Sequence, residues 1–331
     1  MGEISQGATK KERLLFIDKA SGIAILLVVY GHIFFPETIA TDWYRHSHKF
    51  IYKFHMPLFM CLSGYLVFMS TSGKVISTKS DYLIFQKKKL YKFLPVYIVA
   101  SAGSILLDAL YKHFPASEIR ESIFNSIFNP VHSSAVFVWY IYVLLGFYLV
   151  TPFLIKLKGP ILYLLLLFGF LLTNLSFSQL FCADLFAKYF FFFLGGGLIF
   201  YNKEAFLSFL KQHGLLITVL TVGIMVLDNF LGLIIPYQLI SIGAIISVLY
   251  ISNLEWPAPL SKIFVGMGIS SFAIYVLNGP VLDFFYLIYK SILKMPIDGA
   301  FVFFSLIIAL VLSITIRFIF NKIVPQKVYS L

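Results

Sequence analysis

Residues 301–316 read FVFFSLIIALVLSITI, and the arrangement of these side chains decides the fold class. The run carries no charge and no polar residue at every second place. It therefore cannot be a strand of a membrane barrel, whose lipid-facing and lumen-facing residues alternate. ILYLLLLFGFLL at 161–172 has the same character. A helix satisfies its own backbone hydrogen bonds inside hydrocarbon, so helices are the spanning structure that such runs allow.

The rest of the chain agrees. Of its 331 residues, 60% are hydrophobic and 12% charged, about half the charged fraction usual for a soluble domain. That balance excludes a water-soluble enzyme and a disordered chain alike. Stretches apolar enough to cross about 30 Å of hydrocarbon lie near 14–35, 54–70, 93–111, 135–155, 160–177, 184–201, 214–235, 237–254, 265–289 and 299–323. They predict an all-α polytopic membrane helix bundle of about ten transmembrane helices. Pro57 suits the first turn of the second helix. Gly279-Pro280 leads us to expect the ninth to be kinked, broken or split.

Charge supplies the orientation. Lys and Arg number 26 against 15 Asp and Glu, a net +11. With the N-terminus inside, the inner loops and helix ends hold sixteen basic residues and the outer ones eight, which predicts N-in and C-in. No nucleic-acid-binding motif accompanies the charge, so nucleic acid is not an expected partner. Residues 1–12 read as a short cytoplasmic segment without the features of a signal peptide. Residues 1–331 read as a single integral-membrane domain. The longest loops, 36–53, 71–92 and 112–134, leave no room for a separate catalytic domain, so chemistry must be built from helix ends and loops. Cys61 and Cys182 sit in apolar stretches and suggest neither a disulfide framework nor a metal site.

Within such a chain, ionisable groups stand out. Asp18, Ser21 and His32 fall within roughly 60° of one another around the first helix and form one polar stripe. His32 is either a functional group or a satisfied interfacial histidine. His55 lies at the same outer end, while Ser63-Gly64 reads as a packing site rather than a nucleophile. Lys87, Lys88, Lys89 and Lys92 crowd the inner entrance of the third span. They serve either as a stop signal contacting lipid or as a seat for the phosphates of a nucleotide-like ligand. Gly195-Gly196-Gly197 is no phosphate loop and reads as a packing notch. Ser270, Ser271, Tyr275, Asn278 and Asp283 make the ninth stretch the other polar span.

Six pieces in order, FIDKASGIAILLVVYGH, FHMPLFMCLSGYLVF, KKKLYKFLPVY, VWYIYVLLGFYLVTPFL, FFFFLGGGLIF and GISSFAIYVLNGPVL, resemble the acyltransferase 3 family of integral-membrane acyltransferases over nearly the whole chain. The resemblance implies transfer of an acetyl or other short acyl group from cytoplasmic acyl-CoA to a hydroxyl of a polysaccharide, glycolipid or lipid-linked sugar. His32 matches the family histidine, and Lys89 and Lys92 match the basic pair ahead of Leu-Pro. The chain departs from the pattern at Ser21, where relatives carry Arg or Lys, with Lys19 two positions earlier. It departs again at Phe137 and Asn278, where relatives often carry His.

On this reading His32 accepts the proton of the acceptor hydroxyl, and Asp18 helps to orient it. Asn278 donates to developing oxyanion charge. Lys19, Ser21, Lys87, Lys88, Lys89 and Lys92 hold acyl-CoA, the co-substrate, and His55, Trp139, Tyr140 and Tyr275 contact the acceptor. No permanently bound cofactor or metal is implied. Membrane lipids and glycan-assembly proteins are the further expected partners, and a multi-pass position in the inner (plasma) membrane is the expected location. The competing readings are a transporter of a lipid-linked glycan or small metabolite, and an inactive relative acting as a sensor.

Overall fold

The computed structural model describes residues 15–33, 41–74, 76–111, 114–157, 159–231 and 235–323. The leading segment 1–12 lies outside them, as do Lys10, Lys11, Arg13, Lys112, Lys158 and Lys327 of the charge count. In the described residues all ten apolar stretches are largely helical. The elements are α1 Leu15–His32, α2 Asp42–Tyr52, α3 His55–Thr71, α4 Lys79–Tyr111, α5 Ala116–Phe128, α6 Trp139–Leu154, α7 Pro160–Leu172, α8 Ala183–Tyr201, α9 Lys203–Leu231, α10 Tyr237–Asn253, α11 Ala258–Leu287 and α12 Gly299–Ile323. Among the described residues, eight helical segments are long and apolar enough to cross a membrane, and α7 and α10 are shorter apolar helices. With 13 residues, α7 is about 20 Å long, less than a full hydrocarbon thickness.

Large apolar side chains cover the outside of the bundle, with Leu164, Val219 and Phe303 all more than half exposed. In water so much exposed apolar surface would drive association; against lipid tails it carries no such penalty. This is a membrane protein.

Glycines set the closest helix contacts. On α1 and α11, a Cβ at Gly22 would run into the Phe264 carbonyl, and one at Gly268 into the Asp18 carbonyl. On α3 and α8, Gly64 meets the Phe193 carbonyl and Gly196 the Cys61 carbonyl. In lipid, where helices gain nothing by hiding apolar surface from one another, such backbone approach is a main source of association.

Three expectations are corrected. First, α11 continues as one helix through Gly279-Pro280 and is neither broken nor split there, because neighbouring groups in a packed bundle compensate for the backbone bond that proline removes. Second, α4 begins at Lys79 and not near residue 93, so the lysine cluster lies inside a helix of 33 residues. Third, the segments 36–53 and 112–134 contain α2 and α5. Their polar residues hid them from a search for continuous apolar runs. In α5 the small residues Ser122 and Ser126 turn inward while Ile123, Phe124 and Ile127 are exposed.

Candidate active site

The last turn of α1 leaves carbonyls without helical partners, and α2 supplies donors for them. Tyr52 Oη donates to Gly31 O at 2.9 Å, His48 Nε2 donates to the same oxygen at 3.1 Å, and Tyr44 Oη donates to Ile33 O at 2.6 Å. This polar helix thus fixes the residues on either side of His32. From the other side, the glycine contacts hold α11 against α1.

The result is a hydrogen bond of 2.6 Å between His32 Nδ1 and Asn278 Oδ1. Its direction follows from the amide's other contacts. Asn278 Nδ2 donates to Ile274 O at 3.1 Å and to Tyr275 O at 2.5 Å, so Oδ1 is the acceptor that faces the ring. His32 Nδ1 therefore carries the proton, and Nε2 keeps its lone pair. In this arrangement the Asn278 nitrogen is engaged by two carbonyls and its oxygen by His32, which holds the imidazole in one tautomer; the oxyanion donation expected of it would require the amide to leave one of those carbonyls.

His32 lines a chamber of about 560 Å³ together with Tyr52, His55, Ser104, Asp108 and Trp139, and with Lys188, Tyr189 and Asp283. Trp139 stacks on Tyr189 with centroids 5.4 Å apart. His55 Nδ1 donates to Ile51 O at 3.0 Å, which leaves its Nε2 as an acceptor. A neighbouring hollow shares Asp108 and Ser134 with the chamber and adds Glu118 and Glu121, so this end of the bundle has an acidic mouth.

A second cavity, of about 340 Å³, contains Ser21, Ser63, Lys89, Lys92, Tyr140 and Ser271. The Lys89 ammonium sits 4.4 Å from the centre of the Tyr148 ring, and that of Lys92 lies 5.3 Å from the Phe93 ring. Ser21 and His32 are eleven residues apart on α1, so the two cavities are offset by about 16 Å along that helix. Phe59, Tyr140 and Tyr275 pack between them, with Tyr140 5.1 Å from each of the other two rings. Ser63 Oγ gives its hydrogen to Phe59 O at 2.7 Å and accepts from Tyr140 Oη at 2.5 Å. Tied up in this way, Ser63 is a structural hydroxyl.

The expected site residues therefore divide. His32, His55 and Trp139 share the chamber, with Asn278 behind the histidine. Ser21, Lys89, Lys92 and Tyr140 share the second cavity. Neither space includes the others. Lys87 and Lys88 are exposed outside it. Lys19 Nζ donates to Leu254 O at 2.9 Å and lies over the Trp256 ring, and Lys19 lines neither cavity. Tyr275 is buried within the aromatic layer, and Asp18 is buried where α1 meets α11. Asp108, Lys188 and Asp283 line the chamber but were not assigned to it from the sequence. The signal was there, since each is an ionisable residue in an apolar stretch.

The described residues thus form a polytopic helix bundle in which an intramembrane histidine faces one cavity and two lysines line another, with an aromatic layer between. Residues 14–318 match the family described as "Acyltransferase domain", and the chain belongs to this acyltransferase 3 family. It is also similar to the "Nodulation protein NolL" of Sinorhizobium fredii, at 39% identity over 80 residues, and to that of Mesorhizobium japonicum, at 42% over 78 residues. Each similarity covers 23% of this chain and 20% of the relative, so the match spans about a fifth of those proteins. No solved structure matches the chain significantly.

Proposed function

We propose that the protein transfers a short acyl group from acyl-CoA to a hydroxyl of a surface carbohydrate, with His32 as general base. The observation that carries this reading is the His32–Asn278 hydrogen bond, which leaves Nε2 unprotonated beside the chamber. The acceptor hydroxyl attacks the thioester carbonyl while Nε2 takes its proton. Collapse of the tetrahedral intermediate breaks the carbon–sulfur bond, and the departing CoA thiolate recovers the proton from the imidazolium.

Charge distinguishes the two ends. Phosphates of a nucleotide donor are attracted to Lys89 and Lys92, whereas at the other end the carboxylates Asp108, Asp283, Glu118 and Glu121 outnumber the single lysine, Lys188. The donor therefore enters at the basic end, which is the cytoplasmic face under the N-in orientation in an inner (plasma) membrane. Its thioester arm must pass the Phe59–Tyr140–Tyr275 layer to reach His32. The chamber combines carboxylates with the Trp139 and Tyr189 rings, a lining suited to a carbohydrate, which presents hydroxyls and apolar C–H faces together. Membrane lipids and glycan-assembly proteins are its natural neighbours in that setting.

The test is transfer of radiolabelled acetyl from acetyl-CoA to oligosaccharide acceptors by purified protein, with His32→Ala beside wild type. Transfer by wild type and its loss in the variant are expected; a variant as active as wild type would remove His32 from the mechanism. One observation favours a second reading. Two cavities separated by an aromatic layer are also what a transporter uses, and sugar uptake into vesicles without acyl transfer would establish it.

A further inference from the structure

Beside the two cavities, a groove of about 730 Å³ runs along α4 and α11. It shares Lys92 with the donor cavity, and Ser104, Leu107, Phe137 and Pro280 with the His32 chamber. From Lys92 to Leu107 it extends about 22 Å along α4. From Pro95 to Gly103 the α4 side of the lining is apolar, as at Val96 and Val99, and Val99 is 72% exposed on the outer surface of the bundle. A Cβ built on Gly103 would meet no atom within 4 Å, so the groove is open at that point.

Resting on the acyl-transfer reading, we propose that this groove holds the hydrocarbon tail of a lipid-borne acceptor, whose sugar enters the His32 chamber sideways from the membrane. The groove does not suit the arm of the donor, because the amides of that arm would lie unpaired against apolar side chains and lipid. Continuity with the chamber sets the groove apart from a surface bathed in bulk lipid. A tail lying along Val96, Val99 and Gly103 fixes the depth of its headgroup at Ser104 and Phe137, beside the imidazole. The acceptor is thus lipid-linked when it is acylated, and the reaction that consumes the product acts on a membrane-bound glycan.

The experiment uses a long-chain alkyl glucoside with a diazirine at the end of its tail, photolysed with the full-length protein in nanodiscs. A phosphatidylcholine carrying the same group serves as comparison. The expected result is labelling of α4 within 96–107 and of α11 within 276–280, displaced by unlabelled alkyl glucoside and not by phosphatidylcholine or free glucose. Gly103→Trp and Val99→Trp, each filling the groove, should abolish that labelling; peptide mapping on wild type decides the matter if either fails to fold. Equal labelling by the phosphatidylcholine probe means annular lipid only and overturns the proposal. Specific labelling without any acyl transfer would retain the groove and remove the acyltransferase reading. Acyl transfer without specific labelling would do the reverse.

Discussion

Nδ1 of His32 on α1 and Oδ1 of Asn278 on α11 lie 2.6 Å apart, although 246 residues separate them in the chain. The pair joins the two polar spans, and the site is organised around it. Removing the imidazole by His32→Ala should lower acyl transfer about 10²- to 10⁴-fold, the usual contribution of a general base. Asn278→Ala should cost less, about 10- to 100-fold, by analogy with the hydrogen-bond partners that orient metal-binding histidines. Asn278→Asp, which keeps an acceptor for Nδ1–H, should be the milder substitution. Rates for the three variants, measured at saturating acyl-CoA, check this order.

Lys89 and Lys92 line the basic cavity whereas Lys87 and Lys88 do not, which separates four neighbouring lysines into two pairs by position. Lys89→Ala and Lys92→Ala should each raise KM for acyl-CoA with little change in kcat. The expected effect is roughly tenfold or more for a lost charge-assisted contact of about 1.5–3 kcal/mol. Lys87→Ala and Lys88→Ala should leave KM within about twofold, in the range of exposed charges. Steady-state kinetics on all four variants provides the comparison.

Lys53, between α2 and α3, forms a largely buried ion pair with Asp228 of α9, and Ser241 Oγ donates to the Lys53 carbonyl at 2.7 Å. Replacing either charge alone leaves its partner unpaired in a poorly solvated place, at a cost of about 3–5 kcal/mol. Lys53→Met with Asp228→Leu should recover most of the loss. Thermal unfolding in one detergent, compared across the single and double variants, gives the coupling.

Glycines in the bundle should respond oppositely to substitution. Gly22→Ala, Gly64→Ala and Gly268→Ala push a Cβ into a neighbouring backbone and should lower Tm or prevent folding. Gly223→Ala and Gly266→Ala meet no atom within 4 Å and should be neutral or stabilising, by up to about 1 kcal/mol of helix propensity. The spread between the two groups in one melting series is the observable.

The apolar helices were legible because periodicity and run length report burial in lipid directly; among the described residues all ten stretches are largely helical, although α4, α9 and α11 begin before the apolar run does, at Lys79, Lys203 and Ala258. The polar elements were harder to read. For α2, DWYRHSHKFIY is too hydrophilic for a span, and its purpose, capping the carbonyls beside His32, depends on side chains meeting across the fold. Lys19 and Lys89 look alike in sequence, yet one bonds the carbonyl of Leu254 and the other lines a cavity. Spacing around a single helix cannot make that distinction. Asn278 could be flagged as polar, but its orientation is fixed by the carbonyls of Ile274 and Tyr275, a matter of three-dimensional placement.

The most direct test is a cryo-EM structure with a non-hydrolysable thioether analogue of acetyl-CoA. The account predicts its phosphates beside Lys89 and Lys92 and its acyl carbon within reach of His32 Nε2, with Tyr140 displaced from Ser63. An analogue seated at the acidic mouth beside Glu118 and Glu121, or one whose acyl end stays on the basic side of an intact Phe59–Tyr140–Tyr275 layer, would contradict it.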